Sequence, residues 1–143
     1  MSVKVVYATE STATGGGRDG HIKSAEGRLD LDTSPPRELG GVGDGTNPEE
    51  LFSAAYAACF LGALRLVARR SVVMLEDATA ITIQVGLGKD ITTDEFGLMG
   101  TITGYLPGVP QPTAEDLMNQ AHEVCPYSKA TRGNTDFKLV VTV

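Results

Sequence analysis

Two cysteines, Cys59 and Cys125, two histidines, His21 and His122, and an arginine set in a glycine run, Arg18, are the side chains that first suggest chemistry in this 143-residue chain. Cys59 falls about eleven residues inside a predicted helix, too deep for the helix dipole to lower its pKa, because that effect is confined to the first turn. Burial alone raises a thiol pKa, and a thiol among alanines is ordinarily an inert core residue. For Cys59 to act as a nucleophile, a cation has to be brought to it from elsewhere. Arg18, in Gly15-Gly16-Gly17-Arg18-Asp19-Gly20, is the candidate, although a loop arginine is ordinarily solvated. His122 and Cys125 have the spacing of a metal half-site, but His21 is far away in sequence, and zinc sites show three or four ligands at recognisable spacing. No metal and no cofactor is expected. With no nucleophile elbow, Walker loop or Rossmann turn present, cysteine redox chemistry survives.

The formal net charge of -6 and pI of about 4.8 work against a nucleic-acid or anionic-membrane partner. Arg65, Arg69 and Arg70, the densest basic group, fall where a helix should end and complement its dipole. The start, Met1 to Tyr7, has no long apolar stretch behind a basic segment, so no secretory signal is expected and the cytoplasm is the expected compartment. In a reducing compartment a disulfide is transient and catalytic rather than architectural. The apolar run Leu51–Leu64 stops at Arg65, which suits a core helix better than a membrane span.

No repeat or linker divides the chain, and residues 1–143 read as one α+β domain. Val3 to Ala8 is predicted as a first strand, the glycine run as a tight connection, and about His21 to Leu31 as a polar strand. Thr46 or Asn47 caps a helix running from Pro48 to about Arg70, with Pro48 at its first position and Glu49 and Glu50 against its positive end. Apolar residues cover nearly its whole circumference, the pattern of an enclosed central helix. Alternating residues predict a hairpin, Ile81–Leu87 and Phe96–Leu106, around the turn 89–95. Thr113 with Asp116 predicts the start of a second helix that presents Leu117, Ala121, Val124 and Cys125 on one face. Pro126 ends or kinks that helix, and Phe137–Val143 is a last strand.

Two long segments carry a resemblance. They are Asn47-Pro48-Glu49-Glu50-Leu51-Phe52-Ser53-Ala54-Ala55-Tyr56-Ala57-Ala58-Cys59-Phe60 and Val124-Cys125-Pro126-Tyr127-Ser128-Lys129-Ala130-Thr131-Arg132-Gly133-Asn134. They resemble the two cysteine motifs of the organic hydroperoxide resistance (Ohr) family, and the likeness extends through Gly16–Gly20 and Arg37–Gly41. The related osmotically inducible (OsmC) proteins share the cysteines, but the residues after Cys125-Pro126 favour the Ohr branch.

The resemblance implies antiparallel sheets around two central helices in an intertwined homodimer with sites at the subunit interface. It implies fatty-acid and other alkyl hydroperoxides as substrates, and lipoyl dithiols or a lipoylated protein as reductant. It assigns Cys59 as peroxidatic, Cys125 as resolving, and Arg18 with Glu49 as polar partners of the thiolate; Glu50 is a helix-start charge. In those roles a Cys59 thiolate attacks one peroxide oxygen, alcohol departs, and the sulfenic acid condenses with Cys125. Tyr56 and Phe60 near the first cysteine favour an alkyl chain. Glu49 and Cys59 are ten positions apart on one predicted helix, about 15 Å along its axis, so a Glu49 serving the thiolate comes from the other subunit. Ala55, Ala58, Gly62 and Ala63 are small enough to let two such helices approach. The rival readings are an OsmC-type peroxidase with another reductant preference and a non-enzymatic dimer that binds small ligands.

Overall fold

The computed structural model describes residues 1–143, and the chain forms two compact units, Met1–Leu51 and Phe52–Val143. The first unit carries an antiparallel meander of β1 (Ser11–Gly15), β2 (Gly20–Ser24) and β3 (Asp30–Thr33), paired in that order. The glycine run is the β1–β2 connection, as its composition predicts; Gly15 and Gly17 take the left-handed conformation at φ 68° and 75°. Thr33 ties this loop to the third strand, donating its hydroxyl to Gly17 O at 2.6 Å and accepting the Gly20 N–H at 2.9 Å. Arg18 is thereby presented from a loop pinned on both sides.

Two sequence expectations fail in this unit. The polar strand predicted over His21–Leu31 is broken into β2 and β3, because left-handed Gly27 reverses the chain between them. Val3–Ala8 forms no strand, and Val3, Val5, Val6 and Tyr7 are exposed. β-branched and aromatic composition favours an extended backbone, but a strand exists only when a neighbouring strand accepts its hydrogen bonds.

Helix α1 (Pro48–Arg70) has the predicted limits. Asn47 is its cap, its Oδ1 accepting the Glu50 N–H at 2.9 Å, while Pro48 needs no partner for an N–H it lacks. By length and composition α1 is apolar enough to cross a membrane. Its buried residues, Tyr56, Phe60, Ala63, Leu64, Val67 and Ala68, nevertheless recur at helical spacing along one side. The expectation of a helix enclosed all round is corrected: Ala54, Ala55, Ala58 and Gly62 are exposed. Of the small residues expected to face a second helix, Ala63 instead belongs to the chain's own core.

In the second unit β4 (Ala80–Lys89) and β5 (Phe96–Tyr105) form the predicted hairpin, and β6 (Phe137–Thr142) adds parallel to β5. This sheet is antiparallel except for that last pair. A parallel neighbour requires a crossover, and α2 (Gln111–Val124) with α3 (Pro126–Thr131) provides it. Helix α2 starts three residues earlier than a Thr113 cap predicts, with Pro110 at the cap position, because Pro112 is tolerated in the first turn, where N–H groups have no intrahelical acceptor. Pro126 ends α2 and opens α3, leaving Cys125 extended between them at ψ 123°. The core combines Tyr56, Phe60 and Leu64 of α1 with Leu117, Met118 and Ala121 of α2 and with Ile102 and Phe137 of the sheet.

The sheet leaves no room at Gly100. A Cβ there would lie 2.2 Å from the Gln84 carbonyl oxygen and 2.4 Å from the Phe137 ring, and the carbonyl belongs to the paired backbone of β4. Gly100→Ala is expected to destabilise the fold by about 1–3 kcal/mol, to be checked by denaturant unfolding; an unchanged midpoint would contradict this packing.

Candidate active site

The four residues singled out in the sequence are brought together as two pairs. In the first unit Arg18 meets Glu49 in the first turn of α1: Arg18 Nη1 donates to Glu49 Oε2 at 3.0 Å and Nη2 to Oε1 at 2.8 Å. This is the bidentate arrangement that a planar guanidinium makes and an ammonium does not. The Arg18 hydrogen bonds are the main cause holding the Glu49 carboxyl below its ordinary pKa. Glu49 is 16% exposed and Arg18 47%, so the guanidinium keeps a solvent-facing side for a further anion.

In the second unit the two sulfurs face each other. Cys59 lies on α1 and Cys125 at the α2–α3 bend, 66 positions apart, with Sγ–Sγ 3.7 Å and both thiols free. A disulfide requires about 2.05 Å, so a small rotation of either side chain closes the bridge within one chain. Cys125 is fully buried and Cys59 half-buried, which makes Cys59 the more accessible to a dissolved reagent. Burial pushes the Cys59 thiol above its ordinary pKa; the Tyr127 backbone N–H opposes that rise, and the neighbouring Cys125 reinforces it. These surroundings favour thiol over thiolate, so nucleophilic chemistry at Cys59 needs an added positive charge.

Both histidines are engaged by hydrogen bonds away from the sulfurs. His21 is held between Asp30 at 2.6 Å and Asp32 at 2.7 Å on the exposed face of the first sheet. His122 Nδ1 meets the Ser128 hydroxyl at 2.9 Å, and burial, followed by the nearby Arg132 charge, lowers its pKa. Tyr56 and Phe60, expected near an alkyl chain, are wholly buried in the core. The Tyr56 hydroxyl reaches Ser128 Oγ at 2.9 Å. Ser128, a lone serine, carries no chemical signature in the sequence; its place in the segment following Cys125-Pro126 is the only signal there.

The sequence family described as OsmC-like protein matches residues 41–140. The organic hydroperoxide resistance protein of Xanthomonas axonopodis pv. citri is 45% identical over 139 residues, covering 96% of each chain. A structure described as an organic hydroperoxide resistance protein OsmC from Legionella pneumophila is 47% identical, covers 98% of this chain and all of that one, and superposes with a TM-score of 0.91. The organic hydroperoxide resistance protein OhrB of Bacillus subtilis is 43% identical, covers 96% of this chain and all of its own, and superposes with a TM-score of 0.87.

Because folding lowers the Glu49 pKa, the stabilisation from its ion pair is complete above the unfolded-state carboxylate value and is lost as pH falls through the lowered folded value. Arg18→Met should move the Glu49 titration upward, as read from its side-chain carboxyl NMR shift. An unmoved titration would dissociate Arg18 from Glu49.

Proposed function

The chain belongs to the organic hydroperoxide resistance family within the OsmC-like proteins, and from that premise we propose that it is a cysteine peroxidase that reduces organic hydroperoxides to alcohols. The observation that carries the reading is the 3.7 Å approach of an accessible thiol to a buried one within a single chain. The Cys59 thiolate attacks the terminal peroxide oxygen, the O–O bond breaks, and the alkoxide takes up a proton and leaves as alcohol. The Cys59 sulfenic acid then condenses with the Cys125 thiol, forming the S–S bond and releasing water. An external dithiol of the lipoyl type, free or carried on a protein, restores both thiols by exchange.

The acting form is a homodimer. Two exposed apolar features support it: the Val3–Tyr7 segment, without a strand partner in its own chain, and the small-residue row Ala54, Ala58 and Gly62 on the outer side of α1, with open space at Gly62. Together they suit an interface in which terminal segments are exchanged and two α1 helices pack closely. Glu49 and Cys59 lie about 15 Å apart along an uninterrupted helix. A site containing both is therefore built from two chains, with the partner supplying Glu49 and, through its ion pair, Arg18. That guanidinium provides the positive charge Cys59 lacks, stabilising the thiolate and the developing alkoxide. The reaction would be cytoplasmic, where reduced dithiols are maintained.

Steady-state turnover of tert-butyl hydroperoxide with dihydrolipoamide tests the reading; thioredoxin in place of the lipoyl dithiol tests the OsmC-type alternative, and absence of any turnover would leave the ligand-binding one. Cys59→Ser should abolish turnover, and retained activity would sink the mechanism. Cys125→Ser should permit one oxidation and then stall, with excess peroxide adding further oxygen to the peptide carrying Cys59; mass spectrometry finding none would contradict the resolving role.

Sharing of the site is tested by complementation. Mixed dimers of Glu49→Ala and Cys59→Ser chains retain one intact site if Glu49 acts across the interface and none if it acts within its own chain. Activity above both parents is expected; its absence after verified subunit exchange would place both groups in one chain.

A further inference from the structure

Cys125 is bracketed by two polar residues that the peroxidase chemistry above does not use. His122 precedes it by three residues, in the last turn of α2, and Ser128 follows it by three, inside α3. Their side chains meet across the bend, His122 Nδ1 to Ser128 Oγ at 2.9 Å, so a hydrogen bond spans the junction at which Cys125 sits. The same Ser128 oxygen meets the Tyr56 hydroxyl at 2.9 Å. Tyr56 is on α1, three residues before Cys59. Two side-chain contacts therefore run side by side between α1 and the crossover, Tyr56 with Ser128 through oxygen and Cys59 with Cys125 through sulfur, offset by three residues on both partners.

Burial and the Arg132 charge favour neutral His122. With His122 protonated at Nε2, its Nδ1 accepts from the Ser128 hydroxyl, whose oxygen accepts from Tyr56 O–H; with Nδ1 protonated both bonds run the other way, and the three groups stay linked in either case. Ser128 is fully buried and so is Tyr56, so neither hydroxyl has water as an alternative partner. Arg132 adds a brace, donating from Nη2 to the His122 carbonyl oxygen at 2.7 Å. Tyr56 O–H also has a longer contact to Thr131 Oγ1 at 3.4 Å, whereas losing Tyr56 or His122 takes one of the two side-chain partners from the buried Ser128 hydroxyl, at a cost larger than the net worth of an exposed hydrogen bond.

We propose that Ser128, held between Tyr56 and His122, is a positioning residue that keeps Cys125 poised to trap oxidised Cys59. This rests on the peroxidase reading and adds the group that governs its second step. In that step Cys125 Sγ attacks Cys59 Sγ, the S–S bond forms, the S–O bond of the sulfenic acid breaks, and hydroxide leaves with a proton as water. The sulfurs close by about 1.7 Å to reach disulfide length. An anchored bend confines Cys125 to that short approach, whereas a loosened one gives a second peroxide molecule time to carry the sulfenic acid to sulfinic acid. Ser128 touches neither sulfur and acts by fixing the geometry of α3.

The competition between trapping and overoxidation provides the measurement. Reduced protein is mixed with graded tert-butyl hydroperoxide in the absence of reductant, and intact mass gives the concentration at which half of Cys59 is recovered as sulfinic acid. That midpoint reports the ratio of trapping to overoxidation and does not depend on the rate of the first oxidation. Ser128→Ala and Tyr56→Phe should each lower it by about tenfold, the scale of one lost buried hydrogen bond. His122→Leu should do the same, whereas His122→Asn, which replaces Nδ1 with an amide group at a similar position, should restore it toward wild type. Should Ser128→Ala fail to fold, Tyr56→Phe and the two His122 variants decide alone. Unchanged midpoints in folded variants, even with lowered thermal stability, would overturn the proposal, as would His122→Asn behaving like His122→Leu. Wild-type protein forming no Cys59–Cys125 disulfide would overturn the peroxidase reading itself.

Discussion

The hydroxyl of Tyr56 lies at the centre of the second unit, and its hydrogen bond to Ser128 sets much of what surrounds it. The Tyr56 ring packs edge-on against Phe137 of β6 at 5.1 Å between centroids and against Phe52 at 5.9 Å. Its oxygen ends at the α2–α3 junction. A tyrosine with no exposed surface is retained in a core only where its O–H finds a partner, since an unpaired buried hydroxyl costs about 1–3 kcal/mol. The requirement runs both ways: Tyr56 must meet Ser128, so α1 has essentially one axial register against the crossover, and that register aligns the two sulfurs.

The two residue pairs of the candidate site are assembled by different physics. Arg18 and Glu49 are joined by charge and by matching planar geometry, delivered from a glycine loop and a helix start, and both backbones are held locally by Thr33 and Asn47. Cys59 and Cys125 are joined by packing, with burial keeping both thiols close while favouring the protonated form of Cys59. In the proposed reaction neither pair would suffice alone. A buried thiol near a second thiol resolves quickly but ionises poorly, and a paired guanidinium is an anion site with no nucleophile.

Exposed apolar surface is the complementary feature. Val3, Val5 and Tyr7 and the outer side of α1 are left in solvent by a chain that otherwise buries its apolar helix faces in the ordinary way. Under the proposed reading, the small residues at four-residue spacing on α1 are where a second chain would pack. The peroxidase reading and the dimer reading thereby depend on each other, because the cation missing at Cys59 is the group that a second chain would bring.

Much of this was legible in the residues themselves. The limits of α1 follow from Asn47, Pro48 and the arginines at its end, because capping and dipole effects act over one turn. The β4–β5 hairpin follows from alternation over Ile81–Leu87 and Phe96–Leu106, and the two cysteine segments identified the family with no reference to structure. The Arg18–Glu49 pairing required the resemblance, since nothing local links a loop to a helix start 31 positions later. Most of what the sequence misjudged depends on partners distant along the chain, the start of α2 being a local exception. Val3–Ala8 has strand composition but no ladder, α1 has apolar residues on faces its own chain does not cover, and Thr113 reads as a cap although the helix has already begun at Gln111. Ser128 is the clearest case. Its position between Tyr56, 72 residues earlier, and His122 exists only once α1, α2 and α3 are packed, because a hydroxyl takes its meaning from the groups within 3 Å of it, and no spacing rule in one dimension records them.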